Sequence, residues 1–240
     1  MTSRSKVLGM AYGISMCALA LVPAHAEDFS GVLSGAYAHD DSGEDIWGGK
    51  AALTIPLGGD WGIEADGSYH NASSTDFWSI GGSPFFRFDA GRIAATAIYH
   101  DVDGAHFTNY GAGGEWYAAP NFTLAVRGGG TSGSGSSGGY VGGQGSWYVT
   151  PDIALSGDVD YIDVAGNATS ETIKAEWLFA SSLPLSLYGG YQHVDSVGSA
   201  NVWFIGLKFY GGDGGATLVD HQREGSLGYI GESPFFIDQY

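Results

Sequence analysis

Along most of the chain, apolar and polar residues alternate with a period of two, the spacing of a strand that keeps one face in oil and the other in water. In the run Trp61 to Tyr69, one face carries Trp61, Ile63, Ala65, Gly67 and Tyr69; the other carries Gly62, Glu64, Asp66, Ser68 and His70. Ile153, Leu155, Gly157, Val159 and Tyr161 alternate likewise with Ala154, Ser156, Asp158 and Asp160. Trp47, Gly49, Ala51, Leu53 and Ile55 alternate with Gly48, Lys50, Ala52 and Thr54. About twelve such runs of roughly ten residues lie between Phe29 and Tyr210. Tight Gly/Pro/Asp turns near 57–60, 89–91, 118–121, 150–152 and 181–184 take turns with looser polar connections near 40–45, 71–76, 101–104, 131–138, 164–170 and 194–199. The pattern predicts six antiparallel hairpins.

Alternation alone would also suit a soluble sandwich, so the position of the charges decides. Every basic residue within the strands falls opposite the apolar face: Lys50, Arg87, Arg92, Arg127, Lys174 and Lys208. Glu64, Asp66, Glu115, Asp158, Asp160 and Glu176 share that face. A charge facing lipid near the midplane costs about 2–4 kcal/mol, so these twelve residues are expected to line an aqueous lumen. Aromatics of the apolar face gather at strand ends. Phe29, Trp61, Phe88, Trp116, Phe122, Trp147, Phe179 and Phe209 lie by the tight turns; Tyr37, Trp47, Tyr69, Trp78, Tyr99, Tyr110, Tyr161, Tyr191 and Trp203 lie by the looser loops. Two such girdles bracket an apolar band of about 25 Å. The prediction is all-β: an antiparallel up-and-down transmembrane β-barrel of about 12 strands, with short periplasmic turns and longer extracellular loops. Phe77, Phe85, Tyr117, Tyr148, Tyr188 and Phe204 break the rule and point toward the lumen.

The ends of the chain add three expectations. Residues 1–26 read as a secretory signal peptide: Arg4 and Lys6 precede an apolar run to Val22, and Ala24-His25-Ala26 is a small-x-small cleavage site. Residues 27–210 are the barrel, and 211–240 are expected to be a C-terminal periplasmic extension, with a further β segment over 226–240 as the alternative. The only cysteine, Cys17, leaves with the leader, so no disulfide or thiolate chemistry remains. The acidic balance of −17 deepens once the leader is gone, because seven basic residues then face 26 acidic ones, a formal charge of −19. Such a chain repels nucleic acid.

Candidate chemistry is sparse. Gly135-Ser136-Ser137-Gly138-Gly139 fits a nucleophile elbow and Gly128 to Gly133 a dinucleotide fingerprint, but both need a strand followed by a helix, and here they lie in a Gly/Ser-rich loop. His39, His70, His100, His106 and His193 sit near the outer rim with Asp40, Asp41, Asp101 and Asp103. Imidazole and carboxylate together can hold zinc, yet the histidines alternate in parity and the simpler reading is rim polarity. No metal site, catalytic residue or cofactor is expected. For the lumen charges two readings stay open. Arg87, Arg92 and Arg127 form an anion-favouring arc with Asp66, Asp158 and Asp160 as a cation-favouring one, or bases and acids pair and close a narrow barrel.

In its leader, its alternating strands and its closing segment Asn201-Val202-Trp203-Phe204-Ile205-Gly206-Leu207-Lys208-Phe209-Tyr210, the chain resembles the porin-like small outer-membrane β-barrel proteins of Gram-negative bacteria. The resemblance implies an outer-membrane location and passive diffusion of small hydrophilic solutes. It also implies contact with outer-membrane lipid, lipopolysaccharide and the barrel-insertion machinery. A closed-lumen structural or adhesion barrel is the alternative, and a barrel lipid hydrolase a minor one. The continuation past Tyr210 departs from the usual pattern, in which the closing strand ends the chain on an aromatic.

Overall fold

The structure, a computed structural model, describes residues 29–232 apart from 73–74, 134, 165, 181–182, 197 and 213–214. The expected leader lies outside the described residues. Twelve strands run in chain order: β1 (Ser30–Asp40), β2 (Asp45–Gly58), β3 (Trp61–Ala72), β4 (Thr75–Phe88), β5 (Gly91–Val102), β6 (Ala105–Ala119), β7 (Phe122–Gly133), β8 (Ser136–Thr150), β9 (Ile153–Asp163), β10 (Asn167–Ala180), β11 (Leu185–Asp195) and β12 (Ser199–Gly212). Each pairs antiparallel with its neighbours, and β1 closes on β12 from Ser30 opposite Gly212 to Asp40 opposite Val202. Closure leaves no strand edge for hydrocarbon to strip of water, which is why a spanning sheet has to be a cylinder.

The predicted faces are the observed ones. Val126 is 63% exposed and Ile173 70% exposed on the outside, while Arg92 and Asp160 are wholly buried inside. The outer-rim girdle is packed as well as placed: Trp47 lies 5.7 Å from Tyr69, Trp78 5.4 Å from Tyr99 and Tyr191 4.7 Å from Trp203, ring centre to ring centre. Tyr69 donates its hydroxyl to Asp76 at 2.8 Å, so the ring body lies on the outer face while its polar tip reaches the rim.

The expected difference between short turns and longer loops is small. Several of the polar segments read as loops continue as strand, and ladders run out to Ala72/Thr75, Val102/Ala105 and Gly133/Ser136. Asp103-Gly104 is a two-residue hairpin turn with φ of 49° and 85°, the doubly left-handed conformation that suits an Asp-Gly pair. Polarity does not end the hydrogen-bond ladder, which continues through these residues.

The larger correction concerns residues 211–240. They were expected to extend into the periplasm, but the described part, to Glu232, folds back inside the barrel. A helix α1 (Leu218–Glu224) is followed by a 3-10 turn at Gly228–Ile230. A seven-residue helix is marginal alone, so the wall has to hold it. Its start is a capping box: the Asp220 amide donates to Thr217 Oγ1 at 3.3 Å, and the Thr217 amide donates to Asp220 Oδ2 at 3.1 Å. Leu218, Leu227 and Ile230 are buried against the wall, Leu218 with Tyr148, Leu178 and Tyr210, and the other two with Phe85, Ala94 and Ala125.

Candidate functional site: the plugged lumen

Six of the charged residues singled out in the sequence, Lys50, Glu64, Arg87, Arg92, Arg127 and Glu176, touch the C-terminal segment. Arg92, on β5, is the densest junction. Its Nε donates to Glu115 Oε2 at 2.7 Å, and its two Nη atoms donate to the backbone carbonyls of Gln222 (2.7 Å), Ser226 (2.8 Å) and Gly225 (3.2 Å). Arg87 donates to the Glu224 carbonyl beside it. The last carbonyls of a helix have no partner within it and carry partial negative charge. Two wall arginines supply what the helix end lacks.

Arg127, on β7, makes a bidentate pair with Asp160 of β9 at 2.9 and 2.8 Å. Its remaining Nη donates to the carbonyls of Tyr229 and Glu232, both at 3.0 Å, and its guanidinium lies 4.0 Å over the Tyr229 ring. Tyr229 donates its hydroxyl to the same Asp160 at 2.9 Å, and burial pushes that phenol up, so it stays a donor. The residue between Arg127 and Asp160 across the sheet is Gly142 of β8. A Cβ there would run into Asp160 Oδ1 and the Tyr229 hydroxyl, so the pair spans β8 only because that position is bare.

On the remaining walls, Glu64 accepts from the Leu227 amide at 2.8 Å and from Thr54 at 2.8 Å. Glu176 accepts from Gln222 (3.1 Å), Lys208 (3.2 Å), Ser186 (2.7 Å) and Tyr210 (2.6 Å). The segment returns the grip through Arg223, which donates to Thr123 and to the Ala119 and Phe122 carbonyls beneath Tyr117 and Tyr148. His221 stacks on Tyr210 at 4.6 Å, and burial pulls its pKa down, which keeps it neutral there. Lys50 pairs with Glu232 at 2.9 Å. Partners on β2, β3, β5, β7, β9 and β10 surround one short segment, which only the inside of a cylinder permits.

Of the two readings left open for the lumen charges, this geometry is closer to pairing, since Arg127 binds Asp160 and Arg92 binds Glu115. The inward aromatics now have a reason: Phe85 packs the 3-10 turn, Tyr148 packs Leu218, and Tyr117 donates to the Arg223 carbonyl at 2.8 Å. Phe77, Tyr188 and Phe204 instead fill the outer half of the lumen with Ala38, Ile46 and Val202. Sequence reasoning missed Gln222, Arg223, Leu227, Tyr229 and Glu232. The usable signal was the set of aromatics that neither lipid nor a wet pore could explain.

The rim histidines hold local partners. His39 lies 2.8 Å from Asp45 and His106 2.8 Å from Asp101, while His70 and His100 are buried in the lumen wall. Among the described residues no three histidine, cysteine or acidic side chains gather as a metal set.

Glu232 gives the segment a pH dependence. Burial opposes its ionisation, but Lys50, Lys174 and Lys208 outweigh that and hold its carboxyl down to about 2. A depressed carboxylate stabilises the folded state above its ordinary value of 4.5, and that contribution is lost as pH falls toward about 2. Cleavage of the C-terminal segment by an acid-active protease is therefore expected to accelerate between those pH values. In Glu232→Gln the segment should be looser throughout and lack this portion of the pH dependence; a wild-type profile in the variant would refute the assignment.

A scan against protein-family models finds no match, and a search of curated proteins finds none. Solved structures do match. The NanC porin aligns with a TM-score of 0.62 at 10% identity over 74% of this chain and 98% of that one. The KdgM porin aligns with a TM-score of 0.59 at 8% identity over the same shares. An outer-membrane channel from Pseudomonas putida F1 aligns with a TM-score of 0.57 at 10% identity, over 78% of this chain and 98% of that one. Identity this low speaks for the fold alone: the chain shares the closed antiparallel β-barrel fold of these porins and channels.

Proposed function

We propose that the protein is a porin-type channel for small hydrophilic solutes in the outer membrane, stoppered by its own C-terminal segment. The observation that carries this reading is the polarity of the contact between stopper and wall. Glu64, Arg92, Arg127 and Glu176 meet the segment through charged hydrogen bonds, which water can take over once the segment leaves. A wall evolved only to be filled would more economically be apolar. No covalent chemistry is assigned to it.

The second reading, a permanently closed structural barrel, is favoured by a different observation. The outer half of the lumen is packed by the wall's own side chains, including Tyr188 and Phe204. Planar-bilayer recordings separate the two. The full chain is expected to be silent, and a chain ending at Gly212 is expected to show discrete conductance steps, with heat-modifiable gel mobility confirming that both are folded. A folded, shortened barrel that stays silent would leave the structural reading standing. Steady conductance by the full chain would remove the stopper.

A further inference from the structure

Beside Glu232 the lumen keeps an internal polar cavity of about 90 Å³. That is room for several waters or one small organic ion. Its lining includes Lys50, Lys174 and Lys208 together with Gln144, Ser146 and Ser156. Lys50 and Lys208 both stand opposite Ser34 of β1, one strand to either side, and Lys174 stands opposite Ser156. Small hydroxyl residues between long basic ones leave open space in front of the ammonium groups and add donors around it. Glu232 lies on Lys50 at 2.9 Å and Glu176 on Lys208 at 3.2 Å. Lys174 makes no hydrogen bond or ion pair with another described residue. Glu176 belongs to the wall and is saturated by four donors. Glu232 belongs to the segment, so it leaves when the segment does.

We propose that Lys50, Lys174 and Lys208 form an anion-binding site of the lumen that takes a small carboxylate, and that Glu232 occupies it as an internal stand-in. The geometry suits a carboxylate: Glu232 brings one oxygen to Lys50, faces the cavity shared with Lys174 and Lys208, and its carboxyl is held near 2 by all three lysines. A free carboxylate can replace that group without disturbing Glu176. Only one consequence rests on the channel reading above, namely that the same lysines meet solute when the stopper is out.

Chemical rescue tests the site without any conductance measurement. In the full chain, Glu232→Ala removes the carboxylate and enlarges the cavity by its side chain. Proteolytic cleavage of the C-terminal segment is expected to quicken about tenfold, the loss of one charge-assisted contact. Sodium acetate should restore most of the protection, and sodium chloride at the same ionic strength should not. In Glu232→Ala/Lys174→Met the acetate effect should vanish. Three results would overturn the site: no loosening in Glu232→Ala, equal protection by chloride, or undiminished rescue without Lys174. If rescue succeeds while the shortened chain stays silent in bilayers, the site stands and the channel reading alone falls.

Discussion

Replacing Arg127 with methionine is expected to release the 3-10 turn and destabilise the folded protein by about 3–5 kcal/mol, the cost of stranding a buried charge. Arg127 and Asp160 are almost entirely shielded from solvent, and Arg127 neutralises Asp160 through two hydrogen bonds. The same guanidinium satisfies the Tyr229 and Glu232 carbonyls. Methionine fills similar volume but supplies no donor, so one carboxylate loses its counter-charge and two carbonyls lose the guanidinium together. The urea midpoint of the refolded barrel would fall, and cleavage within 226–232 would quicken. Adding Asp160→Asn removes the stranded charge and should recover part of the loss, leaving the carbonyls as the remainder. Equal stability of wild type and Arg127→Met would mean that the lumen near Asp160 is wet, and the plugged description would fail.

How far the sequence carried the structure can be seen at neighbouring positions. Parity placed Val126 outside and Arg127 inside, because a strand in a barrel has one wet and one oily face and the residues obey it. The same parity put Phe85, Tyr117 and Tyr148 inside, where a water-filled pore gives an aromatic nothing to pack on. Their partners, Leu218, Leu227 and Arg223, lie more than a hundred positions after Phe85 and Tyr117 and in no strand pattern. The segment has a seven-residue helix and three scattered apolar anchors, too short a run for periodicity to reveal. What fixes it is the wall's own charge, in the register that brings Arg92 beside Glu115 and lets Arg127 reach across Gly142 to Asp160. Local pattern therefore encodes the cylinder, and only the assembled cylinder encodes what fills it.

Val126→Arg places on the lipid face the charge that Arg127 carries on the lumen face one residue later. Val126 is among the most exposed apolar residues of the outer surface and sits between the Phe122 and Tyr110 bands, near the middle of the apolar belt. An arginine there is expected to cost about 2–4 kcal/mol, with the largest effect at the midplane. A matched substitution at Leu57, exposed beside the β2–β3 turn, should cost about 1 kcal/mol or less, because interfacial water reaches it. Folding into lipid vesicles of known thickness, followed by urea titration, gives both numbers. The contrast between the two sites is the informative quantity, since a soluble barrel with the same strands would tolerate arginine equally at Leu57 and Val126. Equal costs would show that the exposed belt does not face hydrocarbon, and a clear depth dependence would establish that it does.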